Sequence, residues 1–212
     1  MVRRAARRAW GERFGLGKGV PALSAKPVLH EKSGAQHLAI VSALIKSIRG
    51  SDPDATVYWM ARMIEAGEDL MFVARRLVIS AAEDVGLADP QALSVAVAAQ
   101  QAAHFVGLPE AVLPLSEAAV YLARAPKSNT AMRAYGAAVE AIRETGNLPV
   151  PAHLRNAPTR LAKSMGHGRG YRYPHDFEGG KVQQQYLPDA IRERRFYTPG
   201  ERDSDPDNLE SE

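Results

Sequence analysis

Between residues 33 and 146 apolar side chains recur three and four positions apart, the spacing of one helix face. Leu38, Val41, Leu44, Ile45 and Ile48 make the first such stripe, and Gly50 stops it. Ser51-Asp52-Pro53 restarts a helix: Asp52 supplies an acceptor for the free N–H groups of the first turn, and Pro53 has no N–H to leave unpaired. Val57, Met60, Ala61 and Ile64 form the second stripe, up to Gly67. Asp69 opens a third helix, with Phe72, Val73, Leu77 and Ala81 facing inward, predicted to run to Gly86. Asp89-Pro90 repeats the start signal before QALSVAVAAQQAAHFVG, a helix of small apolar residues on nearly every side. Such a helix calls for cover all round, in a bundle centre or an interface. Leu115 to Arg124 is helical again and stops before Pro126. Ser128 or Asn129 caps a last long helix carrying Met132, Tyr135, Val139 and Ile142, ended by Gly146. The short connections predict an all-α fold of antiparallel helical hairpins, about six helices in all.

Past residue 147 the pattern breaks. LPVPAHLRNAP is extended or turned, Pro158 opens one short helix over TRLAKSMG, and the stretch to 200 has no sustained period. It holds Tyr171, Tyr173, Phe177, Tyr186, Phe196 and Tyr197, and disordered chains avoid aromatics. The reading is an irregular Pro/Gly/aromatic-rich segment that wraps the helices. The predicted organisation is therefore a basic, mobile leader over 1–27, a helical domain over 28–146, a docked basic and aromatic segment over 147–200, and an acidic disordered tail over 201–212. The two Asp-Pro starts lie 37 positions apart, but no further positions match, so a helical repeat is not expected.

Composition narrows the classes. At 212 residues, 45% hydrophobic and 24% charged, the chain has material for a folded core without staples. It has no cysteine, hence no disulfide, thiolate metal site or cysteine nucleophile. No apolar run approaches the roughly 18 residues needed to span a bilayer. The start, MVRRAARRAWGERFG, lacks the apolar middle of a secretory signal; it is Arg-rich like a transit peptide but lacks the serines. The net charge is only +3, so nucleic-acid binding has to be argued from local patches.

Few residues carry candidate chemistry. Gly15-Leu16-Gly17-Lys18-Gly19 and Gly166-His167-Gly168-Arg169-Gly170 lack the spacing of a phosphate-cradling loop and read as turns. His30, His37, His104, His153, His167 and His175 show no metal-ligand spacing, although His167, His175 and Asp176 are neighbours in sequence. Glu83-Asp84 sits near a helix end, where the dipole disfavours negative charge; Arg75 or Arg76 is the expected partner in a structural ion pair. Ser51 fits a helix cap better than a nucleophile. No catalytic residue, cofactor site or metal site is assigned. Residues 151–200 hold nine Lys and Arg against four acids. Arg interleaved with Tyr suits both a single nucleic-acid strand and the gluing of a tail to a bundle. Candidate DNA or partner contacts are Arg155, Arg160, Lys163, Arg169, Tyr171, Arg172, Tyr173 and Lys181; candidate oligomer-interface residues are Leu93, Val95, Val97, Phe105 and Tyr121.

Five stretches carry a family resemblance: LIKSIRGSDPDA over 44–55, AAEDVGLADP over 81–90, ARAPKSN over 123–129, PVPAHLRNAPT over 149–159 and GRGYRYPHD over 168–176. In this order they resemble the C-terminal region of the replication-associated recombination protein A family, relatives of the Werner-helicase-interacting ATPases. The resemblance covers about 28 to 200. It implies a helical region that assembles tetramers behind an AAA+ ATPase module, acting at stalled forks and DNA ends beside single-strand-binding protein, in the bacterial cytoplasm near the nucleoid. ATP and Mg would belong to the ATPase module, whose motifs residues 1–27 do not resemble. The chain is thus expected to be non-catalytic: a homotetramerising module or, alternatively, a single-strand or fork DNA-binding module.

Overall fold

Three helix starts in this chain are set by aspartates that accept from first-turn N–H groups. The computed structural model describes residues 34–204. The leader over 1–27, residues 28–33 with His30, and residues 205–212 lie outside the described residues. Helix α1 (Ala35–Arg49) ends at Gly50 and α2 (Pro53–Glu65) begins at once. The Asp52 carboxylate accepts from the Ala55 N–H at 2.9 Å, with Pro53 in the first helical position. The cap is Asp52 and not Ser51. Helix α3 (Leu70–Ser80) starts at Asp69, which accepts from the Met71 N–H at 3.1 Å. The α geometry stops short of Gly86: Ala81–Val85 forms a π-type turn and Gly86–Ala88 a 3₁₀ turn. Asp89 then accepts from the Gln91 N–H at 3.1 Å at the start of α4 (Gln91–Val106). Helices α5 (Val112–Arg124), α6 (Thr130–Thr145) and the short α7 (Arg160–Ser164) follow. The fold is all-α, with no strand among the described residues.

The described residues divide into two compact units, 34–132 with 199–204, and 133–198. In the first unit α1 packs on α2, α2 on α5, and α4 on both α3 and α5. Leu44, Ile48, Met60, Leu77, Leu115 and Leu122 are fully buried at its centre, each worth roughly 1.5–3 kcal/mol of burial. Ala92, Ala96, Ala99 and Ala103 form the inner line of α4, where small side chains allow close helix approach. The outer side of α4 is open, so the helix is not covered all round as its composition suggests.

Two stripes differ from the sequence reading. On α2 the buried residues are Thr56, Met60 and Met63; Ala61 is exposed, and Val57 and Ile64 lie at the edge. Thr56 is a tolerable core residue because its hydroxyl donates to the Asp52 carbonyl at 2.6 Å. Leu38, expected inward on α1, is 69% exposed.

In the second unit the stripe of α6 faces outward: Tyr135 and Ile142 are exposed, and Ala141 is the buried position. An amphipathic pattern shows that a face wants cover without saying that this chain supplies it. No residue over 142–198 is fully buried. The unit is held by polar contacts instead. Thr159 caps α7 by accepting from the Ala162 N–H at 3.1 Å, His153 Nε2 meets the Gln185 carbonyl at 2.7 Å, and Arg194 meets Glu144 at 2.6 Å. The Gln184 side-chain amide bonds both the N–H and the carbonyl of Arg172, at 3.2 and 2.9 Å, as a neighbouring strand would.

Candidate functional site

Three of the sequence stretches that carry the family resemblance meet in the first unit. The last residue of α1, Arg49, reaches the π turn: Nε donates to Asp84 Oδ1 at 2.5 Å and Nη2 to Glu83 Oε1 at 2.9 Å. The Asp84 side chain is only 5% exposed, and its second oxygen is buried without a hydrogen-bond partner. The pKa of Arg49 is raised by the Asp84 hydrogen bond and charge. The partner expected from sequence was Arg75 or Arg76. Both instead lie over the Phe72 ring, 5.8 and 4.9 Å from its centroid, and Arg75 reaches Asp69 at 3.8 Å.

The third stretch closes the other side. Lys127 Nζ donates to the Ala123 and Ala125 carbonyls at 3.1 and 2.5 Å, and to Ser51 Oγ at 3.2 Å. It thus serves the unpaired carbonyls and negative dipole at the end of α5. Burial lowers its pKa, partly opposed by the charge of Asp84. Ser51 is held at φ 60°, an uncommon value for a non-glycine residue. The Ser128 N–H donates to the carbonyls of Asp84 and Val85 at 2.9 and 3.2 Å. Gly86 is needed there: at φ 52°, a Cβ would stand 2.4 Å from the Ser128 carbonyl oxygen. Asp89 also accepts from the Tyr121 hydroxyl at 2.7 Å, a bond that raises the Tyr121 pKa. The sequence reading assigned no role to Arg49, Lys127 or Asp203. The signal available was a charged residue beside Gly or Pro in two of the resembling stretches.

The cluster is a junction of paired charges and satisfied helix ends, with no nucleophile aligned to a base. Among the described residues no group of three or more His, Asp or Glu is placed to hold a metal ion. His167 lies 3.4 Å from Arg155, and His175 stacks near Tyr173. Gly166, Gly168 and Gly170 all take positive φ, so that run is a turn requiring glycines.

The candidate contact residues fall into two groups. Arg155 and Arg172 are used inside the second unit. Arg155 donates to the Val150 carbonyl at 2.6 Å. Arg172 lies 4.5 Å from the Phe177 ring centroid and donates to the Gln183 carbonyl at 3.2 Å. Arg160, Lys163, Arg169, Tyr171, Tyr173 and Lys181 are exposed. Of the candidate interface residues, Leu93, Val97 and Phe105 are exposed, Phe105 by 90%. Val95 and Tyr121 are part-buried against the core, because Val95 shares the side of α4 that carries Ala92 and Ala99. Val106, Leu108 and Leu113 extend the exposed apolar set through the α4–α5 turn.

The first unit is thus an all-helical module whose charged junction is built from three of these stretches. The family model "MgsA AAA+ ATPase C terminal" matches residues 50–210, and the chain belongs to that family; the matched region is the C-terminal domain and not the ATPase module. Replication-associated recombination protein A of Escherichia coli (strain K12) is 47% identical over 176 residues, 81% of this chain and 39% of that protein. The protein of the same name from Coxiella burnetii is 46% identical, covering 80% of this chain and 39% of its own length. ATPase WRNIP1 of Dictyostelium discoideum is 45% identical over 80% of this chain and 20% of that protein. The chain therefore spans about two fifths of the bacterial relatives it matches. Among the described residues no helix is long and apolar enough to cross a membrane.

Proposed function

We propose that this chain is the self-association module of a replication-associated recombination ATPase, assembling four copies and performing no catalysis itself. ATP and Mg belong to the ATPase module of such a protein, and the site of action is DNA at stalled forks, beside single-strand-binding protein and the bacterial nucleoid. One observation carries the reading: large apolar side chains left in water. Leu93, Val97 and Phe105 stand on the outer side of α4, with Val106, Leu108 and Leu113 beyond them. Large apolar side chains exposed on one side of a helix suit an interaction face. The names of the relatives supply the replication and recombination setting. Sedimentation at micromolar concentration tests it: the wild-type chain runs as an oligomer, and Val97→Glu with Phe105→Ser runs smaller. A wild-type monomer at that concentration would sink the reading.

A second reading, direct DNA contact, is favoured by the exposure of Arg160, Lys163, Arg169, Tyr171 and Tyr173 within one short stretch. Cations with open aromatic faces suit a single strand. It predicts oligonucleotide binding that weakens steeply with salt, and a flatter slope when Arg160, Lys163 and Arg169 are all alanine. No binding by the wild type at low salt rejects it.

A further inference from the structure

The tail re-enters the first unit after an excursion of more than sixty residues, roughly the length of the second unit. Residues 203 and 204, at the start of the acidic stretch, bond back to the first unit. The Asp203 carboxylate takes the Ser128 hydroxyl on one oxygen; on the other it takes the Thr130 hydroxyl at 2.8 Å and the Gly200 N–H at 2.9 Å. Ser204 donates its N–H and its hydroxyl to the Leu87 carbonyl at 2.8 and 2.7 Å. The approach is close: a Cβ on Gly200 would lie 3.1 Å from Thr130 Cγ2. Thr130 is itself buried.

We propose that residues 199–204 are a releasable latch that locks the first turn of α6, with Asp203 as its bolt. The Ser128 oxygen faces the Thr130 N–H at 3.4 Å while its proton goes to Asp203, so the carboxylate orients the helix cap. Its negative charge also stands at the helix end that favours anions. Residues 199–204 are thereby held, within the first unit, at the turn around Gly86–Ala88 and the start of α6.

The latch is made of polar contacts. No residue over 199–204 is fully buried, so no apolar core holds the segment down. Segments of that kind open locally without unfolding the rest. Opening frees the Ser128 and Thr130 hydroxyls, and with them the Thr130 N–H that faces Ser128, together with the tail. The state of the tail and the state of the helix start are therefore one equilibrium.

Hydrogen exchange on the full chain tests this, comparing wild type with Asp203→Ala and with Ser128→Ala/Thr130→Val. In Asp203→Ala the amides at positions 130, 200, 203 and 204, each of which has an acceptor in the latched state, exchange together, on the order of tenfold faster, while those of the α5 centre keep wild-type rates. The Ser128/Thr130 double variant produces the same paired acceleration from the opposite side. Faster exchange in the tail alone overturns the proposal, because the segment then rides on the helix without locking it. Equal acceleration throughout α5 also overturns it, because Asp203 is then a general stability residue.

Discussion

Replacing Arg49 with alanine strips the guanidinium from a carboxylate that has almost no water. The Asp84 side chain is 5% exposed, one oxygen is already without a partner, and the other is held by Arg49 Nε at 2.5 Å. Removing one member of a fully buried pair costs about 3–5 kcal/mol, because an uncompensated charge stays behind. Arg49 is itself 51% exposed, so its truncation opens a route for water to Asp84 and the cost falls below that range. A lost charge-assisted hydrogen bond is worth about 1.5–3 kcal/mol, which puts Arg49→Ala near 2 kcal/mol. The reverse change is cheaper. Asp84→Ala leaves a half-exposed guanidinium that keeps Glu83 at 2.9 Å and can hydrate, so about 1 kcal/mol is expected. The double variant should cost less than the sum of the two. Urea unfolding at one fixed protein concentration reads all three values, with the slope checked for constancy. If Arg49→Ala costs no more than Asp84→Ala, the unequal desolvation of the two partners is not what holds this junction.

Two further substitutions probe its neighbours. Gly86→Ala drives a Cβ to 2.4 Å from the Ser128 carbonyl oxygen at a φ that L residues avoid; a loss of about 3 kcal/mol or more is expected in the same assay. The Tyr121 phenol is held above its ordinary range, first by its hydrogen bond to Asp89 and then by burial. Its folded pKa exceeds the unfolded one, so its stabilisation is present below about pH 10 and lost as pH rises through the folded value. An ultraviolet pH titration should show Tyr121→Phe losing a tyrosinate that forms above the ordinary tyrosine range.

Much of the helical plan was legible from local signals. Asp52, Asp69 and Asp89 all accept from first-turn N–H groups as their positions suggested, and Gly50 and Gly86 stand where helical stretches end. Faces were read less well. The α2 stripe turned toward Thr56 and Met63, because a threonine whose hydroxyl is bonded to its own helix behaves as an apolar residue. For α6 the period gave the helix but not the direction of its stripe, and Tyr135 and Ile142 are exposed. Arg155 and Arg172, read as possible DNA or partner contacts, also bond within the second unit. An arginine beside a tyrosine carries no mark of whether its partner is a nucleic acid or its own chain.

What the sequence alone determined is what acts over a few residues: where helices begin, where glycine and proline stop them, and that the fold is all-α. Those choices are settled by N–H groups and side chains three or four positions apart. Only the tertiary structure decided which distant groups meet. Arg49 and Asp84 are 35 positions apart, Lys127 and Ser51 are 76, and Asp203 and Ser128 are 75. A charge carries no address along the chain. Tertiary packing brings these groups together, and burial of Asp84 then makes its pairing with Arg49 necessary.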